Sequence, residues 1–189
     1  ATYRITLQIE WSGPTHPATL PPNSHISPPV VVAHGRAGDL FATGVLSSPG
    51  IEAMAEQGAT NTLQTELAAK PTVSSVQVGS SLFGAGRQTY SITSSRATGD
   101  LASLVTMLAP SPDWFVGVAD VDLFTDGIWV DELTVDLGAY DAGTDSAPGF
   151  VHSNIDTRPP QPISGPRDSA FAAALAEGRF GTVTFTRVT

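Results

Sequence analysis

Three aspartates stand where carboxylates are free to do chemistry. Asp113 lies between Pro112 and the strand-like run that opens at Trp114, and Asp141 and Asp145 bracket Ala142, Gly143 and Thr144, whose small side chains let the backbone curl. Carboxylates on loops have two common uses. They form and cap turns by accepting from nearby amides, or they converge on a hard cation such as calcium, which takes six to eight oxygens at about 2.3–2.6 Å from flexible loops. Carbonyls in Tyr140 to Thr144 would add oxygens to such a shell. Spacing alone leaves both uses open. Magnesium favours a more rigid, water-rich site and zinc recruits His or Cys, so among cations Ca2+ suits this donor type best.

Other chemistry is thinner. His16, His25, His34 and His152 have no close metal-ligand spacing, and the first three fall in a proline-rich region where loop packing explains them. No Gly-x-Ser-x-Gly elbow, zinc-helix motif or P-loop occurs, and Gly84-Ala85-Gly86 is an isolated turn without the second half of a dinucleotide fingerprint. The expectation is a protein that is not an enzyme. Trp114 and Trp129 would stack on sugars if exposed, but each falls on the apolar face of a strand and is expected in the core.

The rest of the composition narrows the partners. Acids outnumber bases 18 to 9, and Lys70 is the one lysine, so the net charge of −9 leaves no basic cluster for nucleic acid. There is no cysteine, which removes disulfides and thiolate metal sites together. No stretch approaches the roughly 20 apolar residues of a transmembrane helix. The chain opens on Ala1 and enters a strand pattern at once, the form of a mature chain after a signal peptide is removed, so secretion is expected.

The elements that must position the aspartates follow from hydrophobic period and punctuation. Tyr3, Ile5, Leu7, Ile9 and Trp11 alternate with polar residues as in a half-buried strand. Six prolines between Ser12 and Pro29 exclude a regular ladder there and predict a long loop, pinned by packing or mobile. Ser48 and Pro49 open a short helix as N-cap and first residue, and Thr62 to Lys70 is a second helix stopped by Pro71. Val30 to Ala33 is an apolar run, and strands are expected at Val73 to Val78, Gln88 to Ser94, Trp114 to Val118, Trp129 to Leu137 and Phe180 to Val188. Leu101 to Leu108 fits a buried strand or a helical turn, and its β-branched neighbours favour the strand. With 18 glycines and 15 prolines, the sum is an all-β antiparallel sandwich over residues 1–189 as one domain, with short helices in its connections.

Beyond composition, one resemblance stands out. Pro110-Ser111-Pro112-Asp113-Trp114-Phe115-Val116-Gly117, then Asp126-Gly127-Ile128-Trp129-Val130, then Asp141-Ala142-Gly143-Thr144-Asp145-Ser146 resemble the spondin N-terminal domain family in order and spacing. The likeness extends upstream through Thr15-His16-Pro17, His25-Ile26-Ser27-Pro28 and Ser48-Pro49-Gly50-Ile51-Glu52, and so covers nearly the whole chain. It departs at the loop from Ser146 to Pro166 and in lacking the cysteines of animal members. The resemblance implies a C2-like β-sandwich of the extracellular matrix and cell surface, with a calcium ion held by Asp113, Asp141 and Asp145. The function expected from it is extracellular recognition or adhesion, with a glycan or protein as partner. The alternative is a structural subunit that self-associates into fibres or matrix through its edge strands.

Overall fold

Alternation at the N-terminus does what its period requires. In the computed structural model, which describes residues 1–189, β1 (Thr2–Ile9) buries Tyr3, Ile5, Leu7 and Ile9 almost completely and turns its polar residues outward. The chain continues through β2 (His25–Ile26), β3 (Val30–His34), α1 (Pro49–Gln57), α2 (Asn61–Ala68), β4 (Val73–Val78), β5 (Leu82–Phe83) and β6 (Gly86–Thr93). It then forms β7 (Leu101–Ala109), β8 (Trp114–Asp122), β9 (Phe124–Thr125), β10 (Ile128–Trp129), β11 (Glu132–Asp136), β12 (Gly138–Asp141), α3 (Ser169–Glu177) and β13 (Gly181–Arg187).

These strands make two main sheets in which every pairing is antiparallel. One is four-stranded in the order β11-β13-β1-β6. The other runs β12-β8-β7-β2-β5, with β3 also on β7 and β4 beyond β3. Tyr3, Ile5, Leu7, Val183 and Phe185 of the first sheet pack with Val31, Leu104 and Val116 of the second to form the larger core. Val30, Val32, Val105, Met107 and Phe115 point the other way, onto Ile51, Met54 and Leu63 of α1 and α2. The layers are therefore sheet, sheet and helix pair, an all-β sandwich with short helices.

This layering explains why Leu101 to Leu108 is hard to read by period. Residues Ala102 to Ala109 of β7 are all buried, because one face meets the sandwich core and the other meets the helices. A strand covered on both sides loses its alternation. The structure takes the strand alternative.

On the open side the four-stranded sheet is hydrophilic. Thr134, Thr184, Thr6 and Thr89 stand opposite one another across all four strands, and the Thr134 and Thr184 hydroxyls are 2.8 Å apart.

The proline-rich segment is pinned. His16 is fully buried and stacks on Phe180 at 5.3 Å, while the Glu177 carboxylate accepts from the backbone N–H of Ala18 and Thr19 at 2.9 and 3.0 Å. A two-residue strand, β2, nevertheless fits between Pro22 and Pro28. His34 is not a loop residue at all; it ends β3 inside the protein.

The expected strand Trp129 to Leu137 is broken in two. Trp129 pairs back on Phe124 in a hairpin whose turn holds Asp126 and Gly127 at positive φ, and the sheet strand resumes at Glu132. Asp131, placed on the apolar face by simple alternation, instead faces solvent and pairs with Arg187. Trp114 is core as expected, and Trp129 is half-buried against Tyr3 and Phe124. No helix is long and apolar enough to cross a membrane.

Candidate metal centre

Strand pairing brings the three aspartates together. Asp113 closes the β7–β8 connection, where the Ser111 hydroxyl accepts from the Trp114 N–H at 3.1 Å and fixes the turn. Across from it β12 pairs with β8 so that Asp141 faces Trp114, and the Ala142 N–H donates to the Asp113 carbonyl at 3.1 Å. The chain then curls through Gly143, at φ +78°, where an added Cβ would lie 2.1 Å from the Gln161 carbonyl oxygen. That turn carries Thr144 and Asp145 back over Asp113.

The two oxygens of Asp113 differ. Its Oδ2 accepts from the Thr144 N–H at 2.8 Å and the Asp145 N–H at 3.1 Å. Its Oδ1 is buried and has no hydrogen-bond partner. The residue has no exposed surface, and burial, with the negative charge of Asp141 and less of Asp145, pushes its carboxyl up to about 6 against the pull of the two amides. Asp141 Oδ1 accepts from the Gly143 N–H at 2.9 Å and from Arg167; burial raises its pKa while Arg167 opposes the rise. Asp145 accepts from the N–H of Ala147 at 2.7 Å and of Ile155 at 2.9 Å.

With that arrangement in view, the likeness to known proteins becomes specific. A family model described as Spondin_N matches residues 1–172. The chain belongs to the spondin N-terminal domain family. It is 32% identical over 172 residues to Spondin-2 of Homo sapiens and 30% identical over 171 residues to Spondin-2 of Rattus norvegicus, covering 87% of this chain and 52% of each relative. With Spondin-1 of Gallus gallus it shares 30% identity over 172 residues, 86% of this chain but 21% of that protein. The chain thus spans about half or less of the curated relatives it matches. In this spondin-type domain the match ends inside α3, and β13 beyond it supplies a central strand of the four-stranded sheet.

Is the donor set suited to a hard cation? No three His, Cys, Asp or Glu side chains form a ready cage. Asp113 Oδ1 is nevertheless buried without a partner, and the Asp141 and Asp145 carboxylates are near enough for their charge to act on Asp113; an oxygen-only set of high charge is the chemistry calcium takes. The carbonyls expected to complete the shell have other partners. Those of Asp141, Ala142, Gly143 and Thr144 accept from Ser164, Ser47, Gln161 and Thr157 respectively.

Two further residues of the centre are not among those singled out from sequence. Arg167 donates to Asp141 Oδ1 through Nη1 and to the Pro162 carbonyl through Nη2. Asp168 caps α3 by accepting from the Ala170 and Phe171 N–H groups, and Phe171 stacks on Trp114 at 4.6 Å with the rings 7° from parallel. Asp168 before an Ala-rich run is a legible helix start; nothing in local pattern marks Arg167.

Away from the centre, a Ser-His-Asp arrangement occurs inside the protein. His34 Nε2 is 2.8 Å from Ser103 Oγ, and Asp39 is 3.9 Å from His34 Nδ1. Ser103 and His34 have no exposed surface, and Ser103 Oγ also accepts from the Asp120 N–H at 2.8 Å. The trio braces β3, β7 and β8 where no substrate can reach the hydroxyl.

Proposed function

We propose that this spondin-type domain is a secreted, non-catalytic module of extracellular recognition or adhesion, whose Asp113, Asp141 and Asp145 hold one calcium ion at one end of the sandwich. The observation that carries the reading is Asp113 Oδ1, a buried carboxylate oxygen without a partner beside two further carboxylates. An uncompensated buried charge is costly, and a bound cation removes that cost. Calcium supplies divalent charge and undemanding oxygen coordination. The chain's own residues do the rest: the Gly143 turn positions the carboxylates, and the bridges from Asp141 to Ser164 and from Asp145 to Asp156 tie the 142–146 loop to the 155–164 loop. A stiffened loop pair of this kind presents a surface to a glycan or protein.

The buried Ser-His-Asp trio supports a structural use of those residues. Assembly into fibres through strand edges is the competing role, and one edge argues against it. β11 carries Glu132 and Asp136 beside Asp131, like charges that repel an identical edge, whereas β6 closes the other side with Arg87 as its one charged residue.

Thermal unfolding tests the metal. With calcium at about 100 times its Kd, the native chain should gain roughly 2.7 kcal/mol over the chelated form, magnesium should give less, and Asp141→Asn should lose the gain. A metal-stripped sample that melts identically with calcium and with chelator would leave the aspartates as turn residues.

A further inference from the structure

We infer that Arg167 is a resident counter-cation of the aspartate centre, one that competes with the metal for Asp141 and so sets how tightly the site binds it. The inference rests on the calcium reading above. Its starting point is geometry: the guanidinium is shared between Asp141 Oδ1 and the Pro162 carbonyl, so it does not grip the carboxylate with both prongs. The Asp141 carboxylate also accepts from the Gly143 and Arg167 backbone N–H groups, which a change of the Arg167 side chain leaves in place. Arg167 is also the accessible member of the pair. Its side chain is 32% exposed against 8% for Asp141, and it borders a pocket of about 240 Å3 lined by Asp145, Thr157 and Gln161. The guanidinium therefore has space to leave while the carboxylate stays fixed by Gly143.

The energetics set the sign. In the metal-free chain the charges of Asp141 and Asp145 bear on Asp113, and the Arg167 guanidinium offsets the negative charge of Asp141. A divalent ion at the same carboxylates cancels the attraction that holds Arg167 and repels it. An interaction stronger in the free state than in the bound state weakens binding by the corresponding factor, and the coupling is reciprocal, so metal binding must loosen Arg167. The same side chain that steadies the empty loops thus lowers the affinity of the filled site, as ligand charge count does in other calcium loops.

Calorimetric titration with calcium chloride of the whole chain, of Arg167→Gln and of Arg167→Lys tests this, with each protein also melted in chelator. Arg167→Gln should bind calcium about fivefold tighter or more, and should melt below the wild type in chelator. Arg167→Lys, which keeps the charge, should stay near the wild type. Raising the salt should narrow the gap between the wild type and the glutamine variant, because the partly exposed charge is screened. Equal or weaker binding by Arg167→Gln would overturn the competition and leave Arg167 as a residue that positions Asp141. If neither the wild type nor the glutamine variant takes up calcium, the calcium reading itself fails; if both bind with the same Kd, that reading stands and only the competition falls.

Discussion

At the scale of single residues, Asp113 separates a metal ligand from a turn former by what different replacements do. Its Oδ2 serves two backbone donors, and its Oδ1 serves none. Asp113→Asn keeps an acceptor for Thr144 and Asp145 and removes a charge that the folded state disfavours, so the metal-free variant should melt at or above the wild type. Asp113→Ala strands the two N–H groups in a buried place, at a cost of about 1–3 kcal/mol for each, and should melt well below it. Neither variant should respond to calcium. Melting curves of both, with chelator and with calcium, check the ordering; a calcium gain retained in Asp113→Asn would remove Asp113 from the ligand set. The three aspartates stood out in sequence through the resemblance of their motifs, while spacing alone left turn and metal uses open; the structure brings the Asp141 and Asp145 charges to bear on Asp113. Arg167 did not stand out, since its role depends on a loop folding back across 26 residues onto Asp141, and no local period encodes such a return.

Among the elements, legibility followed how many faces each one buries. β1 and β13, covered on one side, announce themselves by alternation, whereas β7, covered on both, reads as strand or helix alike. Within the expected strand Trp129 to Leu137 the break is marked by Asp131, a charge at an apolar position: β10 ends at Trp129 and β11 begins at Glu132. α3 went unread for a different reason: only Phe171 and Ala174 of its nine residues are buried, so its apolar stripe is too narrow to stand out, and tertiary contact rather than period holds it in place. That contact is testable. Phe171 lies flat on Trp114, next in sequence to Asp113, and has no exposed surface. Phe171→Ala should cost about 3–5 kcal/mol in denaturant unfolding and, on the calcium proposal, should reduce the calcium-dependent gain as well, because the cavity opens under Trp114, next to Asp113. A stability loss with the calcium gain intact would show that α3 supports the core and not the centre.

For the whole molecule, charge and edges decide how copies meet. A net charge of −9 on 189 residues disfavours self-contact, and the acidic rim of β11 adds to that at one sheet edge. The chain should therefore elute as a monomer on a sizing column at low and high protein concentration, with calcium and with chelator alike. Growth in size with concentration would favour assembly through β6, and would make strand pairing the leading function.

The threonine row across the four-stranded sheet bears on orientation. A flat array of short hydroxyls holds water well and offers little for another protein to dry out on binding, while the opposite broad side of the molecule is already roofed by α1 and α2. With that side wetted and the other covered by helices, the loop-bearing ends are the parts of the sandwich left open. Tethered in a longer chain, such a body would behave as a vector, turning one tip toward its target and keeping its flanks passive against whatever surrounds it.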